Sequence, residues 1–122
     1  MIRYSKEHEW IRVEGEVATV GITQYAQEQL GDVVFVEVPQ AGRKVAKGEA
    51  CAVVESVKAA SDIPAPLSGD IVETNAALND APEKVNQDPY RAWLFRLKPG
   101  DRSEQAGLLE AAAYRKSVTS DA

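Results

Sequence analysis

The sequence is poor in the residues that brace small proteins covalently or through metals. Its 122 residues include one cysteine, Cys51, and one histidine, His8, so no internal disulfide can form and a His/Cys metal site lacks ligands. Long apolar runs are also missing. The longest, as in Val33 to Val36, are strand-length, far short of the roughly 20 residues that cross a bilayer. Cationic clusters do not occur either, and a formal net charge of -5 repels phosphate backbones and anionic lipid surfaces, which sets nucleic acid and membranes aside as partners. No nucleophile–base pair with recognisable spacing and no phosphate-cradling glycine loop is found, so nothing local points to an enzyme. Met1-Ile2-Arg3-Tyr4 runs almost at once into patterned sequence, leaving no room for a signal or transit peptide. The expectation is a cytoplasmic protein, or one of the mitochondrial matrix if a transit peptide has been removed.

What is present is average for a soluble globular chain, with 44 % hydrophobic and 27 % charged residues. At this length one domain over residues 1–122 is expected, its core running from about residue 3 to 115 and its tail, 117–122, fraying. Trp10-Ile11-Arg12-Val13 and Val17-Ala18-Thr19-Val20 read as a hairpin turning at Glu14-Gly15-Glu16. Thr23 can cap a short helix that ends at Gly31. Strands are predicted over Val33–Val38, from about Glu49 to Val57, over Gly69–Thr74 and over Trp93–Lys98, separated by a basic turn at Arg43–Gly48. Ser61–Pro66 reads as an edge or bulged strand, because Pro64 and Pro66 lack N–H donors. Asn79–Asn86 looks like a single helical turn, and Leu108, Leu109, Ala112 and Ala113 recur at helical spacing, predicting one or two C-terminal helices. Gly69-Asp70-Ile71-Val72 echoes Gly31-Asp32-Val33-Val34, which is compatible with a duplicated β-unit. Trp10, Trp93, Phe35, Phe95 and Cys51 read as core. The inventory is α+β and mainly β.

The informative segment is Val53-Val54-Glu55-Ser56-Val57-Lys58-Ala59-Ala60-Ser61-Asp62. A valine-rich strand leads into a lysine flanked by small residues, and an extended segment leads away. Lys58 would then sit at a hairpin tip, within reach of an external enzyme.

These residues carry a resemblance that covers almost the whole chain. His8-Glu9-Trp10, Val20-Gly21-Ile22-Thr23, Leu30-Gly31-Asp32-Val33-Val34-Phe35-Val36, Val54 to Asp62 and Asn86-x-Asp88-Pro89-Tyr90 resemble the H proteins of the glycine cleavage system, in that family's order and near its spacing. The resemblance implies a lipoyl-domain-like barrel-sandwich hybrid of two small sheets with short flanking helices and a C-terminal helix. It implies lipoate attached covalently to Lys58, a carrier role rather than catalysis, and a monomer. It also implies three enzymes as partners, glycine decarboxylase (P protein), aminomethyltransferase (T protein) and dihydrolipoamide dehydrogenase (L protein), besides a lipoyl-attaching enzyme. Biotin carriers typically place methionine on both sides of the modified lysine, whereas Val57 and Ala59 stand here, which favours lipoyl.

Further residues follow from the same resemblance. Glu9 and Asp62 match carboxylates that receive the loaded amine, against the alternatives of a solvated strand residue and a turn residue. Gln29 replaces a histidine found in some members, so it can accept a hydrogen bond but cannot titrate. Glu55 is a candidate recognition element for the lipoyl-attaching enzyme or a strand-edge solubility residue, and His8 is a pocket group or a structural one. Tyr90-Arg91-Ala92-Trp93 is shorter than the family's glycine-containing turn. Two other functions stay open on these residues: an H-like protein that relays its lipoyl group to a transferase, and an unmodified binding module.

Overall fold

Valine, isoleucine and aromatic residues alternate with polar ones along short segments, a pattern that buries one face of a strand at a time. In the computed structural model, which describes residues 2–100 and 102–120, these segments form antiparallel sheets. The elements run β1 (Ile2–Tyr4), β2 (Glu9–Glu14), β3 (Val17–Ile22), α1 (Gln24–Leu30), β4 (Val33–Glu37), β5 (Lys44–Val45), β6 (Ala50–Ser56), β7 (Ala60–Pro64), β8 (Gly69–Thr74), α2 (Ala77–Asp80), α3 (Lys84–Gln87) and β9 (Phe95–Pro99). A 3-10 segment over Arg102–Gly107 and α4 (Ala111–Ser120) close the chain. One sheet has the order β1-β2-β3-β9-β8-β5 and the other β4-β6-β7. Both sheets keep open edges, so the expected barrel-sandwich hybrid is realised as two small sheets and not as a closed barrel. Their buried faces share one core, in which Val36, Val54 and Ile63 of the smaller sheet join Ile11, Val20, Ile71 and Leu97 of the larger. Among the described residues no helix is long and apolar enough to cross a membrane.

The predicted hairpin is present as β2 and β3, with Trp10 opposite Gly21. That pairing explains the glycine, since a Cβ at Gly21 would lie 2.5 Å from the Trp10 ring. Thr23 caps α1 by accepting from the Ala26 N–H at 3.3 Å, and the Gly31 N–H donates to the Gln27 carbonyl at its other end. The proline-bearing strand lies at a sheet edge as β7, where missing donors cost no ladder bonds. The two Gly-Asp segments open β4 and β8, which belong to different sheets.

Several expectations are corrected. The basic turn contains β5, whose Lys44 and Val45 pair with Asp70 and Gly69. Residues 79–86 do not form one turn of helix: α2 ends before Ala81, which is extended (φ -139°, ψ 65°) because the residue ahead of a proline avoids the helical region. The last strand begins two residues later than predicted, at Phe95, since the Trp93 carbonyl accepts from the Asn75 side chain at 2.9 Å. Leu108 and Leu109 precede the C-terminal helix, and Leu109 instead forms a bridge to Tyr4. Phe35 is not core: it is 44 % exposed. A β-bulge between Val33 and Phe35 inserts Val34, so the usual alternation slips and both Val34 and Phe35 face outward. Trp10, Phe95 and Cys51 are buried as expected, while Trp93 is half-buried beneath the Arg96 guanidinium, 4.2 Å from its ring centroid. α4 is helical to Ser120, within the tail expected to fray, and Asp121 and Ala122 lie outside the described residues.

Candidate functional site

Lys58 stands where the sequence places it, exposed at the centre of the three-residue turn, Val57 to Ala59, between β6 and β7. The turn is fixed by its own first residue. Ser56 Oγ accepts from the backbone N–H groups of Lys58 and Ala59, each at 3.2 Å, while the Ser56 N–H donates to the Ala59 carbonyl at 2.8 Å. The Val57 N–H donates to the Asp32 carbonyl at 3.0 Å, which ties the tip to the start of β4. Among the described residues no ion pair engages the Lys58 amine.

Beneath the lysine stem lies Gly31. Its backbone (φ 80°, ψ -154°) occupies a region essentially restricted to glycine, and a Cβ there would come 3.3 Å from Lys58 Cε. Asn86 holds this platform from the other side. Its Nδ2 donates to Gly31 O at 2.8 Å and Gln27 Oε1 at 2.9 Å, and its Oδ1 accepts from the Val33 N–H at 2.8 Å.

A strand leads away from the tip toward a cavity. Ala60, Asp62 and Pro64 share one face of β7 by alternation, with Ile63 buried on the other. Asp62 is exposed, opposite Val53. Pro64 lines a cavity of about 420 Å³ with Ser5, Glu9, Lys47 and Leu108 among its walls. The path from Ala60 to Pro64 covers about 13 Å at the roughly 3.3 Å rise of each strand residue.

Glu9 is the chemically unusual wall. It begins β2 and is 1 % exposed, so the solvated-strand reading is excluded. Ser5 braces it: Ser5 Oγ donates to Glu9 Oε1 at 2.9 Å and accepts from the Glu9 N–H at 3.2 Å, while the Ser5 N–H donates to the Glu9 carbonyl at 3.0 Å. Glu9 Oε2 is buried and has no partner among the described residues. Burial pushes this carboxyl up to about 8, against the lowering effect of the Ser5 hydrogen bond, which favours its protonated form at neutral pH. A buried carboxyl oxygen without a partner, on a residue of a mainly apolar cavity wall, suits a donor brought from outside. Such a donor fits an amine carried on an extension of Lys58, and the exposed lysine fits covalent attachment.

The remaining sequence candidates are distributed differently. Glu55 is exposed on β6, opposite Phe35 and Ala60. Gln29 is exposed on α1 and is not in the wall of the Glu9 cavity. His8 packs away from the cavity wall, with Nδ1 2.9 Å from the Tyr114 hydroxyl and its ring 4.6 Å from that of Tyr25. Its positive φ of 66° marks a strained position held by those contacts. The shortened turn after Tyr90 closes on Asp88, whose carbonyl accepts from the Arg91 and Ala92 N–H groups. Sequence reasoning missed Ser5, Lys47, Leu108 and Asn86. Only Ser5 carried a local signal, as a hydroxyl one turn before a carboxylate.

Comparison with known proteins identifies the family. The family model described as glycine cleavage H-protein matches residues 2–121. The glycine cleavage system H protein of Nitrosomonas eutropha is 58 % identical over 122 residues, covering 99 % of this chain and 95 % of the relative. That of Thermus thermophilus is 58 % identical over 120 residues, covering 98 % and 94 %. A crystal structure of a glycine cleavage system H protein from Mycobacterium marinum superposes with a TM-score of 0.86 at 41 % identity, covering 97 % of this chain and 96 % of that one. The chain therefore belongs to the glycine cleavage H-protein family, the non-catalytic lipoyl-carrier component of the glycine cleavage system.

Proposed function

We propose that Lys58 is the lipoylated residue and that the chain presents it in turn to three enzymes. It receives the aminomethyl group of glycine at a pyridoxal-phosphate-dependent glycine decarboxylase (P protein). It delivers that group to a tetrahydrofolate-dependent aminomethyltransferase (T protein), and is reoxidised by dihydrolipoamide dehydrogenase (L protein). When bound, lipoate supplies a redox-active sulfur pair on a long tether, which turns successive bimolecular encounters into delivery at high effective concentration. The protein acts as a monomer in the cytoplasm.

The observation that carries this reading is the succession of an exposed lysine, one face of β7 and a cavity whose wall includes Glu9, a buried carboxyl with one unpaired oxygen. Glu9, through its unpaired Oε2, would hold the amine of the loaded arm. A cationic amine there lowers the cost of ionising the carboxyl, so Glu9 passes its proton to solvent as the amine docks. Ser5 fixes the carboxylate plane through Oε1, and the apolar walls at Pro64, Ala65 and Leu108 keep water from a group that hydrolyses readily. Asp62, one pleat before Pro64, supplies a second carboxylate along the way.

Two measurements test the proposal. Intact mass after incubation with lipoate, ATP and a lipoyl-attaching enzyme should show one lipoyl increment that Lys58→Arg abolishes. The lipoylated protein should support glycine-dependent exchange of labelled CO2 with the decarboxylase. Lipoylation without exchange would replace this reading with the relay.

A further inference from the structure

The outer face of the three-stranded sheet carries a patch that the carrier role does not use. The bulge in β4 turns Val34 and Phe35 outward together, 54 % and 44 % exposed, and Val57 at the tip is 67 % exposed. Phe35 lies opposite Glu55, which lies opposite Ala60, and this row runs across the sheet. The next row is Glu37, Val53 and Asp62. Residues directly opposite in a ladder project from the same face. An apolar group beside Lys58 is thus backed by three exposed carboxylates, Glu37, Glu55 and Asp62.

We propose that Val34, Phe35 and Val57 form the docking surface for the enzyme that acylates Lys58, a transferase using an acyl adenylate and presenting an apolar seat with a basic rim. This deepens the reading of Lys58 as the attachment site and rests on it.

Reach selects this occupant. An enzyme acting on the bare lysine has only one side chain's length between its reacting carbonyl and the backbone, so it must close on the residues around the tip. Enzymes that meet the loaded arm work at the end of a much longer tether and are under no such constraint. Charge selects it as well. In the transfer, the ammonium first loses one proton to solvent, the neutral Nζ attacks the acyl carbonyl, the amide C–N bond forms as the C–O bond to AMP breaks, and a second proton leaves Nζ for solvent. A site that holds AMP is cationic and repels a lysine, and carboxylates on the same face of the carrier offset that repulsion and steer the encounter. A second copy of this chain is a poor occupant, because three exposed apolar side chains fall well short of the roughly 20–30 residues a side of a stable interface.

The test is lipoylation kinetics of the full chain carrying V34T and F35T together, and separately V57T, with an ATP-dependent lipoate-attaching ligase, lipoate and ATP. Threonine preserves strand propensity at Val34 and Phe35 and keeps the β-branch of Val57 in the turn. The expected result is a fall of about tenfold or more in kcat/KM, carried mainly by KM, with unchanged melting temperature and an unchanged rate of Lys58 acylation by a small activated ester. Variant protein brought to full lipoylation by prolonged incubation should support glycine–CO2 exchange at the parent rate. Lipoylation within twofold of the parent for both variants overturns the proposal. So does a loss confined to the exchange reaction, which would assign the patch to the decarboxylase, or a loss confined to self-association in sedimentation. If the parent chain takes up no lipoyl group at Lys58, the attachment reading fails and this proposal with it. Parent uptake with unaffected variants removes the docking surface alone.

Discussion

At Lys58 the chain keeps its reactive group in water, with Ser56 fixing the loop around it and no ion pair on its amine among the described residues. At Glu9 it does the reverse, withdrawing a carboxyl from solvent and leaving one oxygen without a partner. The tip is built locally, from a hairpin whose hydrogen bonds span a few residues. The cavity is built from segments around Ser5, Lys47, Pro64 and Leu108, which meet only when the sheets and the C-terminal segment have packed. Accessibility is cheap to encode, whereas an unsatisfied buried acid requires the rest of the fold to hold it in place.

The contrast can be broken most severely at the tip. Lys58→Arg should lose the lipoyl mass increment entirely while its urea midpoint stays where it is, because an exposed substitution changes stability by no more than about 0.5 kcal/mol. Coupled loss of stability would show that Lys58 is structurally engaged after all.

At the cavity the largest effect is on pH dependence. Burial pushes the folded Glu9 carboxyl up to about 8, from an ordinary value of 4.5. Between these values the folded state therefore binds more protons than the unfolded state, and stability falls as pH rises through this window. Glu9→Gln mimics the neutral acid and removes that dependence. Its advantage over the parent should be near zero at pH 4 and about 3 kcal/mol at pH 7, by urea unfolding at each pH. A parallel pair of curves would mean that Glu9 ionises freely.

Two serines sharpen the comparison on a smaller scale. Ser5→Ala strips a buried hydrogen bond from Glu9 Oε1 and should cost about 2 kcal/mol. Ser56→Ala removes the acceptor for two exposed N–H groups that water can replace, and should cost about 0.5 kcal/mol. Equal losses would erase the distinction between a locally and a globally built site. Gly31→Ala forces a side chain into a glycine-only backbone region against the lysine stem. About 1–3 kcal/mol should be lost, together with a slower lipoylation rate.

The same contrast decides what could be read in advance. The β6–β7 hairpin was legible because its signal is local: a valine run, small residues around a lysine, and prolines that consign β7 to an edge. The proposal that this lysine is modified rests on resemblance and not on any local signal. The burial of Glu9 could not be read, since its cover comes from residues scattered from Ser5 to Leu108. β5 was read as a turn because two residues beginning with lysine carry no strand pattern, although pairing with β8 makes them one. Phe35 reads as core from its place as an aromatic in a strand, and a bulge leaves no mark in composition. Asn86 was noticed only as part of a block, since its role depends on Gly31, 55 positions away.

The bridge between Tyr4 and Leu109 gives the molecule a direction in time. Every strand of the small sheet that bears Lys58 has been synthesised once the ribosome has passed Pro64, whereas the wall that shelters Glu9 waits for Leu108. The platform for attachment is thus complete in the nascent chain before the shelter is, and a carrier truncated after β9 would keep its handle but lack a closed place to put its load.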